Sequence, residues 1–134
     1  MYEIYTDGAC SGNPGPAGVG VIIAKDKKLM AQISYYLGDA TNNIAELESV
    51  RVGLNNIPEK SNVTIYSDST YAIGMLSKNW KAKANVGLVL DILALMTKFE
   101  KIKFVKVKGH STNKGNQAAD HLAVKAYMKK DLEI

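Results

Sequence analysis

The alternation of apolar and polar positions predicts nine elements along the chain. Tyr2–Asp7 has strand character and ends in the run Asp7–Pro16. Three glycines and two prolines in that run predict a loop with demanding backbone angles. Gly18–Ala24 is rich in β-branched residues and reads as a strand. Lys25–Lys28 is a polar turn, and Leu29–Leu37 reads as its antiparallel partner. Thr41 or Asn42 can cap a helix that runs to about Asn56, with Leu47, Val50, Leu54 and Ile57 as one apolar stripe. Pro58 ends it. Asn62–Ser67 is a further strand, followed by a short helix over Thr70–Leu76. Helical spacing of Val86, Leu90, Leu93 and Met96 predicts a helix over Val86–Phe99. Ile102–Val107 alternates apolar residues with lysines, as an edge strand does. Lys108–Gly115 is a loop, and Asn116–Lys130 a final helix. Hairpins first and alternation later give an α/β chain, a mixed sheet with helices packed on it.

Length adds one constraint to this pattern. The 134 residues suit a single domain, 1–134, large enough to bury a core unaided. Cys10 is the only cysteine, so there is no disulfide framework, and an intracellular, cytoplasmic protein is expected. The longest apolar run, Val19–Ala24, is far short of the ~20 residues a membrane helix needs. No basic segment followed by an apolar one opens the chain, so no secretory signal is expected.

Charge changes the picture more. The net charge is +4, but it is unevenly placed. Residues 1–75 carry 5 basic and 8 acidic side chains; residues 76–134 carry 12 basic and 5 acidic. A basic half fits a polyanionic partner, since Lys and Arg neutralise phosphates and release counterions. A solvated lysine-rich surface gives the same imbalance, and charge alone does not separate the two. Arg51 is the only arginine, which disfavours reading of base edges and leaves recognition of a backbone.

Asp7 and Asp68 both stand at the predicted carboxyl ends of strands, the edge where open α/β sheets build sites. Two carboxylates side by side repel unless a cation joins them, and hard oxygen ligands select Mg²⁺ or Mn²⁺. Glu46 falls in the first turns of its helix, where the helix dipole alone could explain it. Asp120 sits among small residues one turn into the last helix.

Five blocks resolve these ambiguities. They are Tyr5-Thr6-Asp7-Gly8-Ala9-Cys10-Ser11-Gly12-Asn13-Pro14-Gly15, Thr41-Asn42-Asn43-Ile44-Ala45-Glu46-Leu47, Ile65-Tyr66-Ser67-Asp68-Ser69, Val107-Lys108-Gly109-His110-Ser111 and Gly115-Asn116-Gln117-Ala118-Ala119-Asp120-His121-Leu122-Ala123. In order and over residues 5–123 they resemble the type 1 ribonuclease H family. The resemblance implies a ribonuclease H-like five-stranded mixed sheet. Its first three strands are antiparallel, its last two parallel to the first, and helices cover both sides. It implies hydrolysis of the RNA strand of RNA–DNA hybrids without sequence specificity, leaving 5′-phosphate and 3′-hydroxyl ends. Asp7, Glu46, Asp68 and Asp120 match the family's metal-binding carboxylates. Two Mg²⁺ ions are implied, with Mn²⁺ able to substitute. Two dications can clamp the attacking and leaving oxygens of a phosphodiester, and four carboxylates balance their charge. By the same likeness Asp7 bridges the ions, Asp120 serves the one that activates water, and Glu46 and Asp68 serve the one at the leaving oxygen.

His110 matches the family's loop histidine, ten residues before the last Asp, and its ordinary pKa suits proton traffic. Gly8, Cys10, Asn13, Asn42 and Asn43 match minor-groove contacts. Asn both donates and accepts hydrogen bonds, so it can meet 2′-hydroxyls and base edges. Thr41 and Asn85 match a pocket for a DNA phosphate, Tyr71 and Trp80 an aromatic pair along the DNA channel, and Ser69 a further contact. Asp39 replaces an Arg of that pocket, which should weaken it. Only Ser77–Asn85 stands where many bacterial relatives carry a long basic protrusion, and no N-terminal hybrid-binding domain is expected. These departures predict weaker, more salt-sensitive binding. Gln117 stands where Glu is common. Two other readings stay open at this stage. One is a non-catalytic nucleic-acid-binding module, the other a nuclease domain of a larger protein. A monomer without an obligate protein partner is expected.

Overall fold

The computed structural model describes residues 1–108 and 113–130. The elements are β1 (Tyr2–Cys10), β2 (Gly15–Lys25), β3 (Lys28–Ala40), α1 (Asn42–Asn55), β4 (Asn62–Ser67), α2 (Thr70–Ser77), α3 (Val86–Met96), β5 (Lys101–Lys106) and α4 (Lys114–Lys130). They occur in the predicted order. The sheet runs β3-β2-β1-β4-β5, with β1, β2 and β3 antiparallel and β4 and β5 parallel to β1.

Local chemistry explains the joints. Asp26 and Lys27 both have positive φ, 51° and 68°, so two residues close the β2–β3 hairpin with the twist its strands need. Thr41, not Asn42, caps α1, its hydroxyl accepting from the Ile44 N–H at 3.2 Å. Ser69 caps α2 in the same way. Such caps are typically worth about 1 kcal/mol each.

Neighbouring residues of β1 face opposite layers. Ile4 packs towards Gly53 of α1, whereas Tyr5 meets Gly115 of α4. Hence α1 lies on one side of the sheet, with α2 and α3 beside it, and α4 on the other. The core between sheet and α1 holds Ile4, Val21, Leu47, Val50, Leu54 and Ile65, all at most 1% exposed. The predicted α1 stripe, ending at Ile57, is buried throughout.

Two expectations are corrected here. β1 does not stop at Asp7 but runs on to Cys10, and β2 already starts at Gly15. The ladder of Asp7–Cys10 with Ala17–Gly20 supplies partners for backbone groups that a loop would leave to water. The predicted loop shrinks accordingly to the residues between Cys10 and Gly15. The second correction concerns α3. Val89 and Ile92 face the core, while Val86 and Leu90 are exposed. Its sequence, Val-Gly-Leu-Val-Leu-Asp-Ile-Leu-Ala-Leu-Met, is apolar on nearly every side, so periodicity could not select the buried face.

Candidate active site

Asp7 owes its position to an asymmetry of β1. The parallel ladder with β4 ends at Tyr5↔Tyr66, while the antiparallel ladder with β2 continues to Cys10↔Ala17. Asp7 is therefore mid-strand towards β2 but just past the end of the pairing with β4. Asp68 directly follows β4, one residue beyond Ser67. The two carboxylates meet where the parallel ladder stops.

Glu46 arrives from α1. Its Oε1 accepts a hydrogen bond from the Gly8 backbone N–H. Gly8 allows this approach because a Cβ there would lie 2.3 Å from the Ala45 backbone carbon. Gly8→Ala should push α1 from β1 and destabilise the fold by about 1–3 kcal/mol, the usual cost of overpacking. Urea unfolding of the two proteins measures it, and unchanged stability would contradict the contact.

Carboxylate oxygens of Asp7, Glu46 and Asp68 all lie within 4.8 Å of one another. Asp7 is buried; Glu46 and Asp68 are half-buried. Burial pushes the Asp7 carboxyl up to about 10, with Glu46, Asp120 and Asp68 adding to the rise. Burial also raises Glu46, to about 8, with Asp68 adding and the Gly8 N–H opposing. Such shifts mean negative charge that no protein cation offsets. A cluster of hard oxygen donors with unmet charge fits a divalent cation.

The cluster opens into a cavity of about 880 Å³ lined by Asp7, Gly8, Ala9, Cys10, Asn42, Glu46, Asp68, Lys108, Asn116, Gln117 and Asp120. Asp120 thus lines the same cavity and adds to the rise at Asp7, but is exposed and outside the tight triad. Asn116 ties α4 to the end of β4: its Nδ2 donates to the Tyr66 carbonyl at 3.5 Å.

A second, smaller depression of about 320 Å³ is lined by Asn13, Thr41, Asn43, Ala84 and Asn85. Asn13 Oδ1 accepts from the Asn42 N–H at 3.0 Å, which links the two sites. Asn85 Nδ2 donates to the Tyr71 hydroxyl at 3.1 Å. Trp80 is 45% exposed, and its ring covers Gly74 of α2. Ser69 and Trp80 line neither depression. Cys10 Sγ lies 3.2 Å from Asn42 Oδ1. His110 lies outside the described residues. Lys108, Asn116 and Ala9 line the main cavity without having been singled out by sequence. Their only signal was a place inside the matched blocks.

The model of the RNase H family matches residues 1–128. The chain belongs to the RNase H family. It is therefore an enzyme of the ribonuclease H type. Ribonuclease H of Trichodesmium erythraeum is 43% identical over 143 residues, covering 96% of this chain and 90% of that one. Ribonuclease H of Desulforamulus reducens is 38% identical, covering 98% and 90%. Among solved structures, LC11-RNase H1, isolated from compost by a metagenomic approach, superposes with a TM-score of 0.85. It is 30% identical and covers 97% of both chains. The same enzyme in complex with an RNA/DNA hybrid gives 0.84 at 28% identity, over 97% of this chain and 99% of that one. The ribonuclease H-like fold expected from the matched blocks is the fold observed.

Proposed function

We propose that this chain hydrolyses the RNA strand of RNA–DNA hybrids, without sequence preference, giving 5′-phosphate and 3′-hydroxyl ends. The triad of Asp7, Glu46 and Asp68 at one end of an open cavity carries this reading. Those three and Asp120 would hold two divalent cations, Mg²⁺ with Mn²⁺ as substitute. Bound there, the ions would supply the positive charge that activates a water and stabilises the leaving oxygen.

The protein's own groups do the rest. The Gly8 N–H orients Glu46, and Glu46 can accept from the 2′-hydroxyl beside the cut. This contact, with Asn13, Asn42 and Asn43 along the minor groove, distinguishes RNA from DNA. Cys10 shares this wall. Thr41 and Asn85 share a depression of a size and polarity that suit a phosphate of the DNA strand. Asp39 is exposed on β3 and lends that phosphate no positive charge. Tyr71, fixed by Asn85, and the exposed Trp80 would flank the DNA strand, with Ser69 holding the turn behind Asp68. His110 would move protons or help the product leave. The protein acts as a cytoplasmic monomer without an obligate partner.

Labelled hybrid, duplex DNA and duplex RNA, each with Mg²⁺ and with EDTA, test this together. Cleavage of only the hybrid's RNA, abolished by EDTA, is expected. Binding of the hybrid without cleavage would instead identify a non-catalytic module. No helix among the described residues is long and apolar enough to cross a membrane.

A further inference from the structure

The cavity has one basic lining residue among the described ones, and no function assigned so far uses it. Lys108 stands with Asp7, Glu46, Asp68 and Asp120 around the same space. Its place is set by backbone: the Val107 N–H donates to the Ser67 carbonyl at 2.9 Å. That bond pins the residue before Lys108 to the residue before Asp68. The ammonium thus hangs from a main chain held against the end of β4, while its flexible stem is exposed. Among the described residues Lys108 forms no ion pair, although four carboxylates line the same cavity.

A cation left unpaired beside so many acids is available to an anion that enters. Gly8–Cys10 and Asn42 line the same cavity. A strand lying over the carboxylates would fall within reach of this lining, Lys108 included. We propose that Lys108 is a substrate-binding residue that grips a backbone phosphate of the cut strand, next to the scissile one. The inference rests on the hybrid-cleavage reading above. A lysine suits the task, since a compact point charge on a mobile stem binds phosphate whatever base it carries.

The test is steady-state hybrid cleavage in Mg²⁺ at several KCl concentrations, with Lys108→Gln, Lys108→Arg and, as control, Lys60→Gln. Lys60 lies in the turn before β4, at the opposite end of that strand from Asp68. Lys108→Gln should raise KM about fivefold and lower the slope of log KM against log salt by about one, as loss of one phosphate contact does. Its kcat and the Mg²⁺ concentration for half-maximal rate should stay put, and Lys108→Arg should behave as wild type. Unchanged KM and salt slope in Lys108→Gln, while the wild type cuts the hybrid, would overturn this inference alone. So would a loss confined to kcat with a shifted Mg²⁺ midpoint, since the lysine would then act on the ions. A wild type that leaves the hybrid intact overturns both readings.

Discussion

Asp7→Asn should lower kcat on an RNA–DNA hybrid by about three orders of magnitude, roughly 4 kcal/mol of transition-state stabilisation, while hybrid affinity survives. Asn keeps the shape of the side chain and removes its charge. Asp7 is the buried member of the triad, within 4.8 Å of both partners, and Asp120 also acts on its charge. Several of the groups proposed to grip the duplex, Asn13, Thr41, Asn43 and Asn85, lie in the separate depression. Hence the loss should appear in turnover rather than in binding. Asp120→Asn makes the internal comparison. Asp120 is exposed and outside the triad, so its loss should cost about tenfold, near 1.4 kcal/mol. Single-turnover cleavage of end-labelled hybrid, with affinity measured on the same variants, decides it. Near-normal turnover of Asp7→Asn would sink the model.

The second large effect is on stability. Without metal, the melting temperature should fall as pH rises from about 5 to about 8, and added Mg²⁺ should restore it increasingly along that range. In the unfolded chain Asp7 and Glu46 lose their protons near the ordinary carboxylate values, 3.8 and 4.5. Folding raises them to about 10 and about 8. Between those limits the folded state binds more protons than the unfolded one, so stability declines with rising pH. Cations that bind only the folded cluster oppose the decline by mass action. Asp7→Asn removes one of the two groups, so the metal-free variant should be the more stable at pH 8 and its decline shallower. Calorimetry in EDTA at stepped pH tests this, and a flat profile for the wild type would refute it.

Much of this was legible in the chain, for reasons that differ by element. α1 could be read to its stripe because Leu47, Val50, Leu54 and Ile57 face a core while polar residues cover the other side. α3 could not be oriented, since it offers apolar residues all round and only packing against α1 decides that Val89 and Ile92 go inside. The end of β1 was misplaced because glycines in a strand look like loop residues. Gly8 is there for a different reason, the approach of α1. The site followed the same division. Asp68 was visible as a strand-final acid and Asp7 as its counterpart. Glu46 and Asp120 look locally like ordinary helix charges, and became site residues only through the order of five matched blocks. Lys108 and Asn116 could not be found by any local rule. Their roles depend on how the chain after β5 and the first turn of α4 meet the end of β4.

The one-sided pairing of β1 also sets the tempo of the site. Asp7 belongs to the continuous β1–β2 ladder in the middle of the sheet, so its backbone should loosen only when that hairpin opens. Asp68 follows the last residue of a six-residue strand, and Asp120 rides an exposed helix face. One acid is thus tied to the slowest breathing motion of the protein, and the other two to faster ones. A cavity built this way keeps one fixed reference point, which would suit the sequence-independent cleavage proposed above.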